Sequence, residues 1–190
     1  MALTLLAGPK LEPVSVAAAK AHLRVDADEE DGLIASLITT ARLQLEAAFG
    51  LALMTQSWMW SAACWPRTGR VALPLRPVRN VVELRVRAGG GTVTVVDPAL
   101  YDTDLTGDVA RITARPGALP GPAASTAFEI DFAAGYGDGA DDVPGDIRQA
   151  IVLLVSHWFE HRDPSAAGSM VAPLPAAVAG LLAPYKAVRL

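Results

Sequence analysis

His157 and His161 stand one helical turn apart in the run His157-Trp158-Phe159-Glu160-His161. This is the H-x-x-E-H spacing of a zinc peptidase helix, in which two imidazoles share one ion and the glutamate acts as base. That chemistry needs a third protein ligand, yet the chain beyond His161 offers a single acidic residue, Asp163. Asp163 precedes Pro164, which biases it toward extended backbone at a helix end and away from the same ion. A zinc-dependent hydrolase on His157, Glu160 and His161 is therefore the alternative reading.

Two further motifs could carry chemistry. Asp102-Thr103-Asp104-Leu105-Thr106-Gly107 opens like a calcium loop, with oxygens at the first, third and fifth places and glycine at the sixth. Its twelfth place is Thr113, which cannot supply the bidentate carboxylate, so a turn between strands is expected. Gly135-Tyr136-Gly137-Asp138-Gly139 lacks the spacing of a phosphate-binding loop, and no G-x-S-x-G occurs. No catalytic set assembles, and neither a metal nor a cofactor is expected.

The elements that would position these residues follow from periodicity. Pro13-Val14-Ser15 starts a short helix with Ser15 as N-cap, and Asp26-Ala27-Asp28-Glu29-Glu30-Asp31 places carboxylates to cap a second one. That helix repeats Ile34, Leu37, Ile38, Ala41, Leu45 and Ala48 at three- and four-residue steps and stops at Gly50. From about Ala52 the period becomes two. Val82, Leu84 and Val86 alternate with Glu83, Arg85 and Arg87, and Phe128, Ile130 and Phe132 alternate with Glu129 and Asp131, as half-buried antiparallel strands do. Pro74, Pro77, Gly89-Gly90-Gly91, Asp97-Pro98 and Pro116-Gly117 punctuate this region as turns.

After Pro144 the helical period returns. Ile147, Ile151, Leu154, Val155 and Trp158 form one stripe, leaving His157 and His161 on its flank. Asp163-Pro164 ends that helix, Ser165 to Ser169 is a small-residue loop, and Leu174-Pro175 opens a last helix reaching Leu182. The expected fold class is α+β. A helical bundle is formed by the N- and C-terminal segments, 1–52 and 143–190, with an antiparallel, sandwich- or barrel-like β module inserted over 53–142.

Bulk properties narrow the function classes. A hydrophobic fraction of 52% leaves apolar surface to spare after the core is filled, for which oligomerisation is the usual use. The longest apolar run, Ala150 to Val155, is far short of the ~20 residues that span a membrane. The start, Met1 to Pro9, has no basic residue ahead of its apolar stretch and does not read as a signal peptide. A net charge of -4 argues against a tight grip on nucleic-acid phosphates. The single cysteine, Cys64, rules out an internal disulfide and is expected as a small packed hydrophobe.

The order of several short motifs resembles the head-tail connector family of tailed phages, including versions carried by gene transfer particles. The motifs are Pro13-Val14-Ser15 with Ala19-Lys20-Ala21-His22-Leu23-Arg24-Val25-Asp26, then Asp31 with Leu33-Ile34 and Leu37-Ile38. Thr55-Gln56-Ser57-Trp58, Leu73-Pro74-Leu75-Arg76-Pro77-Val78, Asp97-Pro98-Ala99-Leu100-Tyr101 and the stretch from Gly135 to Glu160 continue the series.

The resemblance implies a non-enzymatic part of the virion neck, assembled in the bacterial cytoplasm. It implies an adaptor ring of identical subunits, twelve-fold like the portal protein above it, through which double-stranded DNA passes. A stopper or tail-completion protein would bind below, and a role as such a part is a further alternative. The tail Leu182, Pro184, Tyr185, Lys186, Val188, Arg189 and Leu190 resembles the segment with which such proteins engage the portal.

Overall fold

The computed structural model describes residues 1–88, 91–119, 127–161 and 175–186. The chain divides into a β unit, Met1–Lys10 with Met54–Tyr136, and a helical unit, Leu11–Leu53 with Gly137–Leu190.

In the helical unit, α1 (Val16–Leu23) begins where the Ser15 hydroxyl accepts the Ala18 N–H at 3.1 Å. α2 (Asp31–Phe49) ends at Gly50, whose left-handed φ of 63° lets its N–H return to the Glu46 carbonyl. α3 (Gly145–Glu160) and α4 (Ala176–Leu181) each follow a proline, Pro144 and Pro175. α2 packs on α3, α1 on both, and α4 on α3. Ile34, Ile38 and Leu45 of α2 and Ile147, Ile151 and Leu154 of α3 are buried in this core. Each such side chain contributes about 1.5–3 kcal/mol of transfer free energy.

Two details depart from the expected pattern. Ala48 is exposed, while Arg42 and Glu46 are buried. The acidic run before α2 also acts differently: Glu30, the N-cap, makes no side-chain capping bond, and Asp28 and Asp31 instead hold Lys20 at 2.8 and 2.7 Å.

The β unit contains β1 (Ala2–Ala7), β2 (Gln56–Ala62), β3 (Arg70–Ala72), β4 (Val78–Arg87), β5 (Val93–Val95), β6 (Tyr101–Asp104), β7 (Arg111–Ala114) and β8 (Ala127–Ala134). They form two antiparallel sheets, β1-β2-β8-β4-β5 and β3-β7-β6. The β module is antiparallel as expected, and among the described residues its two sheets are open and do not form a closed barrel.

Strand β8 supplies the centre of the larger sheet. Phe128, Ile130 and Phe132 are buried and lie opposite Ala62, Trp60 and Trp58 of β2 and Val86, Leu84 and Val81 of β4. Residues directly opposite share a face, so these rows form one apolar surface. The other face carries charge. Arg85 reaches Asp131 at 2.8 Å and also pairs with Glu83, and Arg87 reaches Glu129 at 2.8 Å.

A bulge between Val81 and Glu83 breaks the alternation of β4 and turns Val82 outward, 61% exposed. The N-terminal strand β1 was not expected, because residues 1–52 read as helical. Cys64 is exposed rather than packed, since it lies beyond the end of β2.

Candidate functional site

The start of α3 and the turn that follows α4 are built against each other within the helical unit. Ahead of α3, the Asp142 carboxylate accepts the Gly139 N–H at 2.9 Å, and Arg148 of α3 reaches Asp141 at 2.7 Å. Gly137 is required there, because a Cβ at this position would collide with the Asp142 side chain. Asp146, in the first turn of α3, receives the Tyr185 hydroxyl at 2.8 and 2.9 Å. A carboxylate in that turn also meets the positive end of the helix dipole.

This arrangement sorts the expected docking residues. Leu182 caps α4 and is buried, so it anchors the segment and presents no surface. Tyr185 is half-buried on Asp146, whereas Pro184 and Lys186 are exposed. Val188, Arg189 and Leu190 lie outside the described residues, as do Asp163, the loop 165–169 and Leu174. A 3-10 turn over Ala183–Tyr185 gives the start of the segment a defined shape.

The histidine motif ends α3. The buried stripe is Ile147, Ala150, Ile151, Leu154 and Val155, and Trp158 and His157 are half-buried beside it. His161 terminates the helix, with its Nδ1 2.8 Å from the His157 carbonyl and the two rings 4.6 Å apart between centroids. That ring nitrogen is engaged in closing the last turn. Among the described residues, no group of three His, Cys, Asp or Glu side chains is placed to hold a metal ion.

The calcium-like loop is a hairpin turn. Asp102 and Asp104 belong to β6 and Thr113 to β7, with Asp102 opposite Thr113. The Asp104 carboxylate accepts the Thr106 hydroxyl at 2.7 Å and its N–H at 3.1 Å, which holds the acid below its ordinary value. Gly135, with φ of 138°, ends β8 where any Cβ would meet the Met54 backbone.

Sequence reasoning missed one cluster. Arg42 lies between Glu12 at 2.7 Å and Glu46 at 2.8 Å, and Glu46 also accepts the Leu53 N–H at 2.8 Å. Burial works against the Arg42 charge, but the two carboxylates outweigh it and raise the guanidinium above its ordinary value. The i,i+4 spacing of Arg42 and Glu46 was the available signal. The Lys20 ammonium donates hydrogen bonds to Asp28 and to Asp31, which raise it above its ordinary value. Lys20 lines an open groove of about 570 Å³ with Val16, Ala21, Arg24 and Asp26.

No protein-family model matches the chain, and no curated protein matches it significantly. Solved structures do match. The chain is similar, at 29% identity and a TM-score of 0.84, to a chain in the neck of an empty GTA particle computed with C6 symmetry. It is similar, at 26% identity and a TM-score of 0.85, to a chain in the virion of a native gene transfer agent (GTA) particle. A third likeness, at 26% identity and a TM-score of 0.77, is to a chain in the neck of a native GTA particle computed with C12 symmetry. Each covers 100% of this chain and 97% of the other, so the likeness takes in the β unit and the helical unit alike.

Proposed function

We propose that this chain is a structural component of the neck of a phage-like particle, and within it the head-tail connector that joins the portal to the tail. The observation that carries the reading is likeness over the whole chain, at 26–29% identity, to chains of gene transfer agent necks and virions. The ordered motifs from Pro13 to Glu160 point to the same class of particle and favour the portal-side adaptor. The related necks were computed with C6 and C12 symmetry, which supports a ring of identical copies, twelve in the form proposed.

The electrostatics suit a passage for DNA. Lys20, Arg42, Arg85, Arg87, Arg115 and Arg148 all have carboxylate partners, and the net charge is -4. These six of the chain's 16 Lys and Arg residues are partnered within the protein, which together with the negative net charge favours passage of DNA over a tight grip on its phosphates. Docking to the portal is assigned to the C-terminal segment, with Leu182 and Tyr185 fixing its base and Pro184, Lys186, Val188, Arg189 and Leu190 offered to the partner.

Electron microscopy of particles from a strain making a tagged copy tests the reading. Density for the chain is expected as a ring between portal and tail, and deletion is expected to leave DNA-filled heads without tails. A location elsewhere, or normal tailed particles from the deletion strain, overturns it.

A further inference from the structure

The first strand of the β unit is built unlike the others. All six residues of β1, Ala2-Leu3-Thr4-Leu5-Leu6-Ala7, are exposed, although the strand pairs with β2 along one side. It lies at the end of its sheet, so its other side presents unpaired backbone N–H and C=O groups among the described residues. Proteins usually blunt such an edge with lysine, proline or inward-pointing charge, and none occurs between Ala2 and Ala7. The bulge between Leu5 and Ala7 leaves Ala2 to Leu5 in regular register.

The register shows where these side chains point. Leu3 lies opposite Trp60 and Leu5 opposite Trp58, and those tryptophans lie opposite Ile130 and Phe132. Leu3 and Leu5 therefore extend the apolar core face of the sheet to its rim, yet they remain 36% and 48% exposed. Leu6, at the bulge, is 51% exposed. The core face continues past the point where the described residues cover it.

We propose that β1 is an intersubunit strand, its free edge and leucines covered by a neighbouring copy of the same chain. The inference rests on the ring reading above. A strand edge is satisfied by another backbone, and in a ring of identical copies the adjacent backbone is this chain. Among the described residues the far edge of the same sheet is also unpaired, with Val93 42% and Val95 56% exposed on β5 opposite Arg87 and Arg85. Two unlike free edges on one open sheet allow head-to-tail contacts, which close into a ring, whereas β1 meeting β1 would stop at a dimer.

The test places a photo-crosslinking amino acid at Leu5, or at Thr68 as control, in particles from a producing strain. Adducts between two copies of the chain at Leu5, and none at Thr68, are expected. Adducts only to a different particle protein, or no adduct although the chain is present in particles, overturn the inference and leave the neck reading intact. Absence of the chain from particles overturns the neck reading itself.

A second variant, Leu3→Lys with Leu5→Lys, changes exposed side chains only, so the purified protein is expected to melt within a few degrees of the parent. Its incorporation into particles is expected to fall about tenfold or more, as loss of an apolar contact demands. Unchanged incorporation overturns the inference.

Discussion

Tyr185 donates its phenolic hydrogen to Asp146, with both carboxylate oxygens within 2.9 Å, and so ties the turn after α4 to the first turn of α3. A hydrogen bond to a charged, partly buried group is worth about 1.5–3 kcal/mol. Tyr185→Phe is expected to lower stability toward the low end of that range, read by urea denaturation. No change in the midpoint would show that the contact contributes nothing.

The proposed portal docking is expected to be separable from folding at this turn. A chain ending at Lys186 keeps Leu182 and Tyr185 and is expected to retain its melting temperature. Its affinity for purified portal protein is expected to drop about tenfold or more, equivalent to about 1.4 kcal/mol. Equal affinity by interferometry would sink the docking assignment.

Arg42 holds two carboxylates in the helical unit, so removing it strands them. Breaking a buried pair from one side costs about 3–5 kcal/mol, and the side chain of Glu12, 30% exposed, sets the lower end here. Arg42→Met should therefore destabilise by about 3 kcal/mol. Replacing Glu12 by Gln in the same background should restore part of the loss, and a double-mutant cycle on Arg42 and Glu12 reads the coupling.

Glu129 gives the β unit a pH dependence. Its hydrogen bond to Arg87 comes first, ahead of the opposing effect of burial, and holds the carboxyl below the ordinary glutamate value. A folded-state value below the unfolded one means that the pair stabilises above the unfolded pKa and that this contribution is lost as pH falls through the folded one. Melting temperatures of parent and Glu129→Gln should therefore converge on acidification from about pH 6 to about pH 3. A gap that stays constant would refute the assignment.

Much of this architecture was legible in the sequence, because its signals are local. Ser15, Gly50, Pro144 and Pro175 mark helix ends by backbone chemistry, and β8 alternates because one of its faces is core. β1 gave only a short pattern: Leu3-Thr4-Leu5 alternates, but the bulge before Ala7 ends it after three residues. Val82 followed the period in sequence and left it in space, since one extra residue in a strand reverses the side-chain direction. Arg42 sat inside an apolar stripe, and the partner that explains it, Glu12, is 30 positions away. The C-terminal segment proposed for docking is held by Asp146, which lies 39 positions from Tyr185.

The chain crosses between its two units after Lys10, Leu53 and Tyr136, and this sets a timetable for the ribosome. β8 stands between β2 and β4, so the β1-β2 and β4-β5 pairs are not joined into one sheet until Ala127–Ala134 have been translated. α2 waits longer still, with its apolar stripe open to water until α3 emerges. Such non-local closure is slow and leaves sticky intermediates. The β core therefore completes only once β8 has emerged and the helical core only once α3 has, and a nascent chain stalled before β8 would be a client for holding chaperones.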